Sequence, residues 1–216
     1  MAELIADPFR AARLILSLRQ NGITSPAVLK AMETIDRGSF AAPDYNTLAF
    51  EDVHLPLPCG QSIAPPIVTG QILAALDYSD SRQGRALLIG AGSGYSSALL
   101  APLVEHVVAA ERSERLAEMA QQRLSDLGVG NVEVRHADGL TGCPMFGPYD
   151  FIIAMGAMTE IPDPVFDALA RDGQLTAPVG TVESVELQVW QHGRCTSREP
   201  LLSPLLPLRD GLCKAI

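Results

Sequence analysis

Residues 86–95 read Ala-Leu-Leu-Ile-Gly-Ala-Gly-Ser-Gly-Tyr, an apolar run that ends in three glycines at alternate positions, Gly90, Gly92 and Gly94. Such a run entering a glycine-rich turn, with the helix-like stretch Tyr95 to Leu103 behind it, describes a strand–turn–helix unit whose backbone a ligand can approach closely. A second apolar run, His106 to Ala110, leads to Glu111. That acid stands about 20 residues beyond the turn, the spacing at which a carboxylate binds a ribose hydroxyl pair. Together the two features predict a nucleotide-like ligand at the carboxyl ends of parallel strands.

The pattern alternates downstream. Leu116 to Leu127 reads as a helix, with Ser113 as its N-cap and Gly128 as its stop. Val132 to Arg135 and Asp150 to Met155 read as strands, Pro164 to Ala170 as a short helix, and Gln174 to Pro178 and Val185 to Gln191 as strands. Leu201 to Leu208 is expected to add one more. This order predicts an α/β fold: a doubly wound, mostly parallel, Rossmann-like sheet with helices on both faces and an antiparallel hairpin at one edge.

Upstream, Leu4 to Leu18 has helical spacing and stops at Gly22, and Ser25-Pro26 starts a second helix lined by Val28, Leu29, Met32 and Ile35. The stretch from Ala41 to Pro66 is irregular and rich in proline, a length that in a compact domain is often functional. A helix over about Ile67 to Leu76 follows. The expected organisation is therefore a helical extension with a covering loop over 1–80, and a ligand-binding α/β domain over 81–216.

Composition narrows the classes. The 216 residues carry a formal charge of −9, which argues against nonspecific binding to nucleic acid or to an anionic membrane. Cys59, Cys143, Cys195 and Cys213 form no Cys-x-x-Cys pair, and the four histidines, at 54, 106, 136 and 192, show no ligand spacing, so no metal site is expected. Scattered thiols, charged residues before the first apolar stretch and the lack of a spanning apolar run predict a soluble cytoplasmic protein, monomer or homodimer, without membrane or nucleic-acid partners.

The neighbours of the turn select the ligand. A dinucleotide motif places its third glycine three residues after the second, whereas Gly94 follows Gly92 by two. No Lys-Ser or Lys-Thr follows, which removes the phosphate loop of a nucleoside triphosphatase. A nucleoside without a pyrophosphate fits better, and S-adenosylmethionine is the common one. Asp138, after the third strand candidate, can accept a hydrogen bond from an adenine amino group. Tight strand–helix packing would also use alternating glycines, and an acid at a strand end can simply be solvated. Their coincidence at strand carboxyl ends favours binding.

The chain resembles the protein-L-isoaspartate O-methyltransferases, a branch of the class I S-adenosylmethionine-dependent methyltransferases. Asp36-Arg37 with Phe40 is similar to the family's Asp-Arg-x-x-Phe segment, Gly60 to Pro66 to its Gly-Gln-Thr-Ile-Ser-x-Pro loop, and Ile89 to Tyr95 to its Ile-Gly-Thr-Gly-Ser-Gly-Tyr turn. Glu111-Arg112, Asp138-Gly139, Tyr149-Asp150, Ile161-Pro162, Pro178-Val179-Gly180 and Leu206-Pro207-Leu208 fall in family order. The resemblance implies methylation of the α-carboxylate of isoaspartyl residues in a damaged protein or peptide, with S-adenosyl-L-homocysteine as product. It further implies that Gly90, Gly92, Ser93 and Gly94 cradle the methionine end of the cofactor. Glu111 with Arg112 then holds the ribose, and Asp138 with Gly139 flanks the adenine. The loop carrying Gln61, Ser62 and Ile63 covers the cofactor and meets the substrate.

The departures cluster. Ala64 stands at the family's active-site serine, Leu88 at a glutamate expected near the amino-acid end of the cofactor, and Ala91 at a threonine. Glu51 or Asp52 could approach from across the cleft in compensation. An acceptor carboxylate is already ionised at neutral pH, so the missing hydroxyl removes a positioning contact of about 0.5–1.5 kcal/mol, roughly tenfold in rate at most. An active methyltransferase is thus the leading expectation. A cofactor-binding, non-catalytic homologue with a regulatory or scaffold role is the alternative, and a nicotinamide-dependent oxidoreductase is disfavoured by the glycine spacing.

Overall fold

The computed structural model describes residues 9–78, 84–181 and 184–214. Two helices open it, α1 (Arg10–Gln20) and α2 (Pro26–Thr34). The part of the first expected helix that precedes Phe9 lies outside the described residues. Pro26 sits in the first turn of α2, where its missing N–H leaves no bond unmade. The irregular stretch holds a small antiparallel pair, β1 (Leu55–Pro56) with β2 (Ser62–Ile63), which turns the covering loop back on itself. It leads into α3 (Pro66–Ala74).

Seven strands form the main sheet: β3 (Arg85–Ile89), β4 (His106–Glu111), β5 (Val132–His136), β6 (Tyr149–Ala154), β7 (Leu169–Thr181), β8 (Ser184–Gln191) and β9 (Arg194–Pro200). Their order across the sheet is β5-β4-β3-β6-β7-β8-β9. The first five in that order run parallel, β8 is antiparallel to β7, and β9 is antiparallel to β8. From β3 the chain winds outward through β4 to β5, then returns to the other side of β3 as β6. That reversal opens a crevice at the strand carboxyl ends.

The two-residue period of the strands divides the core. Ala86 and Leu88 of β3, Val107 and Ala109 of β4 and Phe151 and Ile153 of β6 pack on one face, against α1, α2, α3, α4 (Tyr95–Leu100) and α5 (Glu114–Asp126). Leu87 and Ile89, Val108 and Ala110, and Ile152 and Ala154 face the other way, toward Val165 of α6 (Asp163–Asp167) and Ala168. Helices do cover both faces, but unevenly. The first core joins α1 and α2 to the sheet without a break, and the expected boundary at residue 80 lies outside the described residues.

Two local expectations are corrected. The helix expected over Pro164 to Ala170 ends at Asp167, because Leu169 already pairs with Tyr149 as the start of β7. The strand expected over Leu201 to Leu208 is absent: β9 ends at Pro200, and the following residues form a strap whose pairing is confined to single bridges such as Ala157 with Pro207. Pro204 and Pro207 have no N–H to give a ladder. Among the described residues no helix is long and apolar enough to cross a membrane.

Candidate functional site

One cleft lies over the carboxyl ends of β3, β4 and β6. Its wall includes Gln61, Ser62, Ile63 and Ala64 from the covering loop, Gly90, Gly92 and Ser93 from the turn, and Glu111, Arg112, Asp138 and Gly139 beyond β4 and β5. Of the site residues expected from sequence, Gly94 alone is not part of that wall. It is the N-cap of α4, at φ +91°, and a Cβ there would stand 3.3 Å from Cβ of Ala120 on α5. Its glycine serves backbone conformation and helix packing.

The turn itself needs glycine: Gly90 and Gly92 also have positive φ, at +89° and +54°. Glu111 fixes its shape. This carboxylate is 6% exposed; Oε2 accepts from Gly92 N–H and Oε1 from Ser113 N–H, each at 2.9 Å. The acid therefore ties the turn after β3 to the turn after β4. Each oxygen retains further acceptor capacity. Ser113 holds the N-cap position of α5 but makes no side-chain cap bond; its hydroxyl lies 3.5 Å from Cys59 Sγ in the covering loop.

Asp138 is engaged by the strap. Its Oδ1 accepts from Leu140 N–H at 2.9 Å, closing a short helical turn, and its Oδ2 accepts from Gly211 N–H at 2.6 Å. Arg112 Nε donates to the Gly211 carbonyl at 2.9 Å, and Cys213 N–H to the Arg112 carbonyl at 2.8 Å. Leu208 closes over the turn: its Cδ2 lies 3.3 Å from the place a Gly90 Cβ would take. The strap thus crosses the side of the cleft that carries Arg112 and Asp138.

His54 joins strap to loop. Its Nδ1 is 2.9 Å from Ser62 Oγ and its Nε2 3.1 Å from the Pro204 carbonyl. A carbonyl can only accept, so the Nε2–H form of the neutral ring donates to Pro204 and accepts a hydrogen bond from the Ser62 hydroxyl on Nδ1. Beneath the same loop, Arg37 donates to the carbonyls of Ala49, Glu51, Val53, Ile63 and Ala64. Asp36 accepts from Gly38 N–H at 2.9 Å, and the Phe40 ring packs on Tyr95 at 5.5 Å between centroids. The Asp-Arg-x-x-Phe segment thus supports the loop and the start of α4 together, a role its sequence did not reveal.

The expected trouble at Leu88 takes a different form. Leu88 is fully buried on the helix-covered face of β3 and is not part of the cleft wall. Asp52 does not reach across in compensation, since its Oδ1 accepts from Ile67 N–H at 2.9 Å and caps α3.

Sheet order, switch point and convergent acids define a doubly wound α/β protein that binds a nucleoside-like ligand. The chain belongs to the protein-L-isoaspartate(D-aspartate) O-methyltransferase family, whose model matches residues 10–199. Among relatives named protein-L-isoaspartate O-methyltransferase, the one from Rhodospirillum rubrum is 37% identical over 212 residues, 95% of each chain. The one from Dechloromonas aromatica is 41% identical over 172 residues, 80% of each chain. A Plasmodium falciparum protein solved with S-adenosyl-L-homocysteine superposes with a TM-score of 0.78 over 91% of this chain and 97% of its own. At 20% identity that likeness is one of fold. Family membership sets aside the nicotinamide reading.

Proposed function

We propose that this chain is an S-adenosylmethionine-dependent O-methyltransferase that esterifies the α-carboxylate of isoaspartyl residues in damaged proteins. The observation that carries the reading is convergence: the glycine turn, the two acids and the glutamine loop, far apart in sequence, line one cleft at the switch point of the sheet. The donor set fits the cofactor. Glu111 and Asp138 are acceptors with capacity to spare, as ribose hydroxyls and an adenine amine require, and the Gly90–Gly92 backbone offers close approach to the methionine end.

When bound, the cofactor supplies a methyl group activated on a sulfonium sulfur. The residues of this chain bind, align and exclude water. Glu111 and Asp138 fix the nucleoside, the Gln61–Ala64 segment presents the acceptor carboxylate, and Leu208 with the strap shields the reacting atoms. No general base is required, because the acceptor is already an anion. Residues 1–80 supply the covering loop in this reading and 81–216 the cofactor fold. A cytoplasmic location suits the repair role and leaves the four thiols, all unpaired, reduced.

The test pairs calorimetry of S-adenosyl-L-homocysteine binding with transfer of labelled methyl to an isoaspartyl peptide. Saturable binding and base-labile label on the peptide are expected, with a gain of up to about tenfold in Ala64→Ser. Binding without transfer, in both wild type and Ala64→Ser, would assign the chain to the non-catalytic alternative.

A further inference from the structure

The acceptor end of the cleft rests on a cation that the cofactor chemistry does not use. Arg37 is 2% exposed, and all its hydrogen bonds run to backbone carbonyls. No ion pair among the described residues includes it. Asp52 acts on it only at longer range, and burial lowers its pKa to about 10. A guanidinium taken out of water without a carboxylate partner is unfavourable, and such groups persist where their charge is used. Its Nη2 lies 3.0 Å from the carbonyl of Ala64, so the charge stands directly under the position of the family's serine.

Tyr95 is an independent sign. It lines the cleft at 1% exposure, and its buried hydroxyl has no hydrogen-bond partner among the described residues. Burial acts most on that hydroxyl, and the charges of Arg37 and Asp36 act on it in opposite directions. Buried donors are rarely left unmatched, and a phenol O–H is a strong donor to an anionic oxygen. The chain as a whole has a formal charge of −9, which repels an anionic acceptor unless a local cation reverses the field.

We propose that Arg37 and Tyr95 make the acceptor end selective for a carboxylate, Arg37 through its field beneath the Ala64 segment and Tyr95 as a hydrogen-bond donor. The proposal rests on the methyltransferase reading above and assigns to this pair the recognition that the missing hydroxyl at residue 64 would otherwise share. Arg37 acts here as a positioning and specificity residue; it need not touch the acceptor.

The test measures binding to the full chain with S-adenosyl-L-homocysteine, and methyl transfer in parallel with S-adenosylmethionine, for two peptides, one isoaspartyl and one identical but with the α-carboxylate replaced by a carboxamide. Wild type is expected to prefer the carboxylate by about tenfold, or ~1.4 kcal/mol. Arg37→Gln brings the ratio toward one, Arg37→Lys keeps part of it, and Tyr95→Phe lowers it about threefold. If each variant weakens both peptides equally and leaves the ratio unchanged, Arg37 and Tyr95 are scaffold only and the proposal fails. Should Arg37→Gln not fold, unchanged ratios in Arg37→Lys and Tyr95→Phe overturn it equally. A wild type that methylates isoaspartyl peptide yet binds both peptides alike overturns this inference alone. A wild type that methylates no isoaspartyl peptide overturns the functional reading beneath it.

Discussion

Replacing Glu111 with glutamine separates the bracing of two turns, which the structure gives this residue, from the ribose binding proposed for it. The carboxylate accepts one N–H on each oxygen, from Gly92 and from Ser113, while nearly excluded from solvent. Glutamine keeps one carbonyl oxygen and turns an NH2 group toward the other N–H. One charge-assisted bond is lost, worth about 1.5–3 kcal/mol, and the stranded donor adds to the cost, so a loss of about 2–4 kcal/mol is expected. For a domain of this size that corresponds to a fall of roughly 4–16 °C in Tm. Ribose binding loses its charged acceptor at the same time, and S-adenosyl-L-homocysteine should bind at least about tenfold more weakly. Urea unfolding at fixed protein concentration reads the first effect, and calorimetry well below Tm reads the second. A stability change below about 0.5 kcal/mol would show that the carboxylate does not tie the two turns together. Unchanged product affinity in a destabilised Glu111→Gln would remove the residue from the cofactor site.

Gly94→Ala should lower stability by about 1–3 kcal/mol, from a left-handed φ and from crowding against Ala120, while S-adenosyl-L-homocysteine affinity at low temperature stays within about twofold. A larger loss of affinity would return Gly94 to the cofactor cradle. Asp138→Asn should loosen the strap at Gly211 and speed product dissociation by about fivefold to tenfold, measured by stopped-flow displacement; an unchanged rate would mean the strap does not govern exchange. Alkaline stability follows from burial. The phenols of Tyr78, Tyr95 and Tyr149 are all raised above their ordinary value, so the stability they contribute is intact below about pH 10 and lost as pH climbs through the folded values. Arg37, lowered to about 10, works in the opposite direction. Three phenols against one guanidinium leave a net loss, so the urea midpoint should fall above about pH 10, and less steeply in Tyr95→Phe; a flat or rising midpoint would refute this.

The sheet was legible because its strands carry their own period and their carboxyl ends carry turn chemistry. Residues 86–95 and 106–111 each state locally what they become, and the structure places both at the crevice. The sequence is opaque where the decisive partner lies far away. Leu201 to Leu208 contains five leucines and looks like a strand, but two prolines deny it a ladder and the chain becomes a strap over the cleft. The strap's bond from Arg112 to Gly211 spans 99 residues, a separation no local pattern announces. Arg37 is the sharpest case. In the sequence a motif picks it out without saying what it does, and only the folded loop brings five carbonyls to it.

The same distinction changes how the apolar substitutions weigh on activity. Counted as motif departures, Ala64, Leu88 and Ala91 are three losses at one site. In the structure they lie apart: Ala64 and Ala91 are on the cleft wall, whereas Leu88 is sealed into the helix-facing core between Ala109 and Ile153. Leucine there is what a buried strand position favours, contributing about 1.5–3 kcal/mol through burial, and it takes no direct contact away from the ligand wall. The hydroxyls of residues 64 and 91 are then the groups missing from the cleft wall, and a neutral hydroxyl is a small part of holding a charged ligand. A cleft that keeps Glu111 and Asp138, a strap, and a buried cation beneath the loop carrying Ala64 retains, on the proposed roles, the interactions of larger magnitude. Divergence at residue 64 therefore tunes the rate, and loss of Arg37 is the change that should alter which acceptor is chosen.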